Sequence, residues 1–291
     1  MPNLKWIALL LAATAVWGST FALMKDLLGS LDTFALLSIR FSIATPIFGA
    51  YVLAAKMRFS AGEIKAGAIA GLAMFSGFAT QVFGLNFTTA INSAFITGLY
   101  IIFVPVLSSL ITRKMPERKV ALAVAAVVAG LWLLTGYSGN FNTGDAVTLL
   151  TALSVAVHIN LLAIYTKKYD VANLVFVQIA TVAALSTAIM LFTGKVPPSV
   201  SPESAFSLSF LALFATIFAF FVLNAAQKRM GPSEVALILT AEPIFAALFA
   251  FLILHEVIGA TQWLGALLMV VGMAIAETDL KLSRIILKKN Y

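Results

Sequence analysis

The chain contains no cysteine, which excludes disulfides, thiolate metal sites and a cysteine nucleophile. Histidine is almost as scarce. Only His158 and His255 occur, too few for a histidine metal site, and neither a metal nor a cofactor is expected. Asp, Glu, Lys and Arg together make up 11% of the 291 residues, whereas a soluble domain carries about 25%. There is no G-x-S-x-G or H-E-x-x-H run and no paired-aspartate motif, which leaves little support for an intramembrane hydrolase. No P-loop is present, so the chain does not use ATP by itself. Ten-residue segments of alternating hydrophobicity are also missing, which argues against a β-barrel.

What remains is apolar. Hydrophobic residues account for 61% of the chain, and the mean hydropathy is +1.01. Ten stretches are long enough for an α-helix to cross hydrocarbon: 6–24, 34–55, 66–85, 89–112, 120–137, 146–166, 171–193, 206–226, 235–254 and 257–276. The first follows a lone Lys5 as a signal peptide would, but it is too long for an h-region and is read as a retained span. The expected fold is an all-α, multi-pass integral membrane protein of ten helices.

The formal net charge of +7 does not point to nucleic acid, because its distribution follows the membrane. With a cytoplasmic N-terminus, sixteen of the 19 Lys and Arg fall on the cytoplasmic side, while Lys25 and Lys195 lie opposite and Arg40 within a span. That is the positive-inside pattern, with both termini cytoplasmic and the cytoplasmic (inner) membrane as location. The basic tail 278–291, interleaved with Leu and Ile, reads as an anchor on anionic lipid.

The loop 138–145 divides the chain into two five-helix units, 1–137 and 144–277. A shift of 142 residues aligns the fourth and fifth stretches with the ninth and tenth, pairing Ala94 with Ala236, Phe103 with Phe245 and Gly130 with Gly272. Five is odd, so the second unit begins on the opposite side and the halves are expected to be inverted repeats. The same shift sets Tyr100 against Glu242, and a shift of 138 sets Arg40 against Gln178.

Glu242 is the most informative residue. It lies about 13 Å into a bilayer counted from Ser233 at ~1.5 Å per residue, where a carboxylate marks a pathway or binding site. Three roles are open to it: proton exchange, binding a cationic group of a ligand, or structural pairing with Arg40 or a backbone donor. Pro243 beside it and Pro105 in the fourth stretch are expected to interrupt their helices. His158, near mid-bilayer on the sixth stretch, either relays protons or serves as a neutral hydrogen-bonding residue. Arg40 and Lys25 are candidates for holding a carboxylate, although snorkelling is the simpler account of Lys25. Trp17, Gln81, Asn86, Asn92, Tyr100 and Asn224 are candidate lining residues of one cavity. The 23 phenylalanines carry no functional weight at this stage. Small residues at four-spacing, Gly67/Gly71 and Ala121/Ala125/Ala129, pack within the bundle or build a homodimer.

Three blocks carry a resemblance. They are Trp17-Gly18-Ser19-Thr20-Phe21, the run TTAINSAFITGLYIIFVP at 88–105, and Gly231-Pro232-Ser233-Glu234-Val235-Ala236 followed by Ala241-Glu242-Pro243 and His255-Glu256. Together they resemble EamA-type members of the drug/metabolite transporter superfamily, over essentially the whole chain. The resemblance implies a ten-helix inverted-repeat carrier, usually an exporter of amino acids, other metabolites or drugs. Lys114 departs from it, standing where many relatives carry the acid that matches Glu256. The expectation is therefore a secondary transporter, with membrane lipid, a small-molecule substrate and protons as its partners. Its alternatives are a proton-independent uniporter, a channel, or a hydrolase built on Ser19 and His158.

Overall fold

The computed structural model describes residues 4–112, 118–136, 142–230, 235, 238–239 and 241–287. Lys114, residues 138–141 of the loop 138–145, residues 231–234 and 236 of the ninth-stretch block and the end of the basic tail lie outside the described residues. Among the described residues the secondary structure is entirely helical. The first half holds α1 (Leu4–Leu27), α2 (Thr33–Ala54), α3 (Ala61–Leu85), α4 (Ala90–Thr97), α5 (Tyr100–Thr112) and α6 (Arg118–Leu131), which ends in a π-helical turn, Trp132–Gly136. The second holds α7 (Thr143–Tyr165), α8 (Val171–Phe192) and α9 (Pro202–Phe210). A π-helical segment, Leu211–Phe218, then leads into α10 (Ala219–Gln227), and α11 (Glu242–Leu254) and α12 (Ala260–Leu287) follow.

Apolar runs make the helices, and polar residues at their ends decide where each begins. Asp32 accepts from Phe34 N, Asp170 from Ala172 N, and Ser201 from Ser204 N ahead of Pro202. Ser60 with Glu63 and Asn142 with Asp145 form reciprocal capping boxes at the starts of α3 and α7. Each cap satisfies amides that a helix start leaves without partners.

Among the described residues, seven helical runs are long and apolar enough to cross a membrane: Leu4–Leu27, Thr33–Ala54, Ala61–Leu85, Ala90–Leu107, Thr143–Tyr165, Val171–Phe192 and Pro202–Gln227. The shorter apolar helices Val124–Leu134, Glu242–Leu254 and Ala260–Gly272 fall in the stretches expected as the fifth, ninth and tenth spans. Leu72, Leu150, Leu191, Phe251 and Trp263 are exposed on the outer surface. Such a surface suits lipid and would be a liability in water.

The main packing runs between the halves. α2 lies on α8, α3 on α7 and α8, α1 on α11, and α6 on α12. Small residues permit the closest crossings. A Cβ at Gly67 would fall 2.6 Å from Val177 Cβ, and one at Gly71 would fall 2.7 Å from Thr181 Cβ, so this stripe is used inside the bundle. Ala125 and Ala129, by contrast, are exposed on α6. At the other end of the chain, Gly130 and Gly265 bring α6 and α12 into backbone contact.

Candidate functional site

The two spans that carry Tyr100 and Glu242 are both interrupted. Between α4 and α5 the backbone tightens, with Leu99 N donating to Ile96 O, Ile101 N to Gly98 O and Ile102 N to Leu99 O. These are i→i+3 bonds, the mark of a local 3₁₀ turn. Pro105, expected to make this break, instead lies inside α5, and the interruption comes earlier, at Gly98–Leu99. The ring of Pro243 sits against Gly98, where a Cβ would lie 3.1 Å from Pro243 Cγ. Pro243 itself opens α11 in its first turn, where a missing N–H costs nothing.

Tyr100 and Glu242 thus begin the resumed halves of two interrupted helices, and their side chains meet. Tyr100 Oη donates to Glu242 Oε2 over 3.2 Å, with Leu239 O at 3.5 Å. They stand on the wall of a cavity of about 80 Å³ in the bundle's interior. Trp17, Gln81, His158, Phe78, Phe220 and Thr97 also line it. Trp17, Gln81, Tyr100, His158 and Glu242, all singled out from the sequence, are therefore brought together.

Arg40, Asn92 and Asn224 are not on that wall. Arg40 is wholly buried; its Nε donates to Thr216 Oγ1 at 2.8 Å and its Nη2 to Ala215 O at 3.3 Å, while Nη1 rests 3.5 Å from Met24 Sδ. Its Cζ lies 4.6 Å from the centre of the Phe78 ring and 5.2 Å from that of Phe41. Ala215 belongs to the π-helical segment, and its carbonyl also accepts from Trp17 Nε1 at 2.9 Å. A depth-based reading sends an arginine to a cavity or a carboxylate, but here carbonyl, hydroxyl and ring faces satisfy it. Asn92 sits on α4 with its Oδ1 unpartnered. Asn224 accepts from Gln178 Nε2 at 3.2 Å, and Gln178 Oε1 faces His158 Nε2 at 2.7 Å. Because Gln178 Nε2 also donates to Leu174 O, its oxygen is the acceptor and His158 Nε2 carries the hydrogen.

A polar cluster ties the halves together at the α4 start. Glu256 accepts from Ala90 N at 2.9 Å and Ile91 N at 3.1 Å, while Thr89 accepts from Asn92 N. Three free amides of α4 are thereby satisfied, two of them by a carboxylate from the other half. Lys25 does not snorkel outward but donates from Nζ to Leu85 O at 2.6 Å and Thr88 O at 2.9 Å, and Thr88 Oγ1 donates to Asp145. At the start of α3, Glu63 Oε1 accepts from Asp170 N at 3.1 Å and Asn173 Nδ2 donates to Arg58 O at 2.8 Å. Glu256 and Thr97 entered the sequence reading only as parts of motifs, and Phe78 and Phe220 were not singled out at all. Only the one-turn spacing of Thr97 from its span's aligned Tyr100 hinted at its position.

Tandem apolar helical repeats around a cavity lined by a carboxylate define a multi-pass membrane protein. The family comparison is direct. The EamA-like transporter family model matches the chain twice, over residues 4–136 and 142–278, and the chain belongs to that family. An uncharacterized transporter of Archaeoglobus fulgidus is 32% identical over 263 residues, covering 90% of this chain and 82% of that protein. The uncharacterized transporter YyaM of Bacillus subtilis is 23% identical and covers 98% of this chain and 97% of its own length. A crystal structure that is 19% identical superposes with a TM-score of 0.70 over 95% of this chain and 99% of that one, a likeness of fold.

Proposed function

We propose that the protein is a secondary transporter of the cytoplasmic membrane that moves a small metabolite or drug, outward, by alternating access about the cavity at Tyr100 and Glu242. The observation that carries this reading is the meeting of the two interrupted spans, one from each repeat, through the Tyr100–Glu242 hydrogen bond. Breaks of this kind place a flexible point beside the ligand in inverted-repeat carriers. The cavity of about 80 Å³ is smaller than an ordinary ligand pocket, which holds about 300–1,000 Å³. That size supports a contracted state that must widen to load. Counterflow in liposomes tests the reading: Tyr100→Ala is expected to slow exchange by about tenfold or more, equivalent to ~1.4 kcal/mol, with folded protein retained. Exchange at the wild-type rate would move the pathway elsewhere.

The reading includes ten spans as inverted repeats with both termini cytoplasmic, supported by the sixteen-to-two split of basic residues across alternate loops. Cysteines introduced at Ser201 and Ser138 are expected to react with an impermeant thiol reagent in intact cells, and one at Ser60 to stay unlabelled. Reversed labelling overturns the topology and the inversion with it.

A further inference from the structure

The cavity is chemically one-sided. Glu242 is the one carboxylate among the described residues on its wall, and none of them there is lysine or arginine. Among the described residues, the two basic side chains directed into the bundle are engaged elsewhere. Lys25 holds the Leu85 and Thr88 carbonyls. All three nitrogens of Arg40 have partners on α1 or the π-helical segment, and what it turns toward the cavity is the Phe78 ring. A carboxylate entering the cavity would meet only neutral donors, such as Gln81 and Thr151, and no cationic one, and would sit near Glu242.

A protonated amine fares differently. Glu242 supplies the counter-charge, and Thr97, on the same wall, holds an Oγ1 that is buried with no hydrogen-bond partner among the described residues. Three aromatic rings complete the surround: Phe220 lies edge-on to Trp17 at 5.2 Å and to Phe78 at 5.9 Å. Ring faces attract cations, more strongly once water is excluded. The remaining wall includes Met74, Val155 and Ile159, which suit an apolar body.

We propose that the cavity selects monocationic amines with an apolar body and rejects compounds that carry a carboxylate, amino acids among them. This rests on the reading of the cavity as the substrate site. Three probes of matched shape separate the two ideas: 2-phenylethylamine, phenylalanine and phenylacetate, titrated into the purified protein by calorimetry. The amine is expected to bind at least tenfold more tightly than phenylalanine, and phenylacetate to bind least. Glu242→Gln is expected to erase that margin. Thr97→Val, which keeps side-chain volume, is expected to weaken the amine severalfold while leaving the thermal transition in place. If phenylalanine or phenylacetate binds as well as the amine and Phe220→Ala weakens that binding, the charge rule fails and the cavity reading stands. Amine binding unchanged by Glu242→Gln, Thr97→Val and Phe220→Ala alike overturns both, as does the absence of binding by all three probes.

Discussion

Replacing Glu242 with glutamine is expected to abolish substrate uptake driven by a pH gradient while leaving exchange measurable at raised substrate concentration. The amide keeps the size of the side chain and can still take the Tyr100 hydrogen bond, but it neither binds nor releases a proton. A carboxylate inside a membrane bundle is tolerated neutral when closed off and ionised when open to water, so its protonation can be tied to the rocking of the repeats. The expected loss of gradient-driven accumulation is about tenfold or more, ~1.4 kcal/mol of driving interaction. His158→Gln is expected to keep both activities, because His158 already serves Gln178 as a hydrogen-bonding partner. Liposomes with an imposed pH difference provide the measurement. A wild-type protein indifferent to that difference is a uniporter, and Glu242 is then a ligand for substrate alone.

A second large effect is expected far from the cavity, where α6 meets α12. A Cβ at Gly130 would lie 2.6 Å from Gly265 O and 2.9 Å from Met269 N. Both are backbone atoms, so no side-chain rotation relieves the clash and one helix must shift. Gly130→Leu is expected to cost about 3 kcal/mol or more and to lower Tm by roughly 10 °C, read by thermal unfolding in detergent. Ala125→Leu, on the exposed face of the same helix, is expected to change stability by only about 0.5 kcal/mol. If that face builds a homodimer, the leucine variant shifts the oligomeric state instead. An unchanged Tm for Gly130→Leu would mean that the helices do not approach so closely.

The apolar runs were legible because hydrocarbon length is a local property of the chain, whereas the caps at Asp32, Ser60, Asn142, Asp170 and Ser201 emerged only from the structure. The equivalence of Tyr100 and Glu242 was legible for a different reason. A repeat keeps its register, so a shift of 142 residues aligns them, whereas their hydrogen bond follows only from how the halves pack. Arg40 was harder. Depth alone says a buried cation needs compensation, but not that Ala215 O, Thr216 and two rings provide it. Nothing local in Leu211–Phe218 distinguishes a π-helical segment from an α-helix of the same composition. Phe78 and Phe220 were lost among many phenylalanines, since composition does not say which face of a helix looks inward. The fourth span breaks before Pro105 because Gly98 meets Pro243, a tertiary contact that no window along the chain reveals.

The short helix α4 gains a mechanical meaning from its two ends. Eight residues at ~1.5 Å each make a rod of about 12 Å. Glu256 grips its first amides, and Thr97, its last residue, stands on the cavity wall. A helix that short bends little, so a tilt that widens the cavity at Thr97 is felt at Ala90 as strain on the carboxylate's two hydrogen bonds. Thermodynamic linkage makes the relation mutual. A ligand that favours the tilted rod loosens the grip of Glu256, and loosening that grip raises the affinity for such a ligand by the same factor. If the cavity is the substrate site, Glu256 would tune how tightly it holds its cargo without touching it.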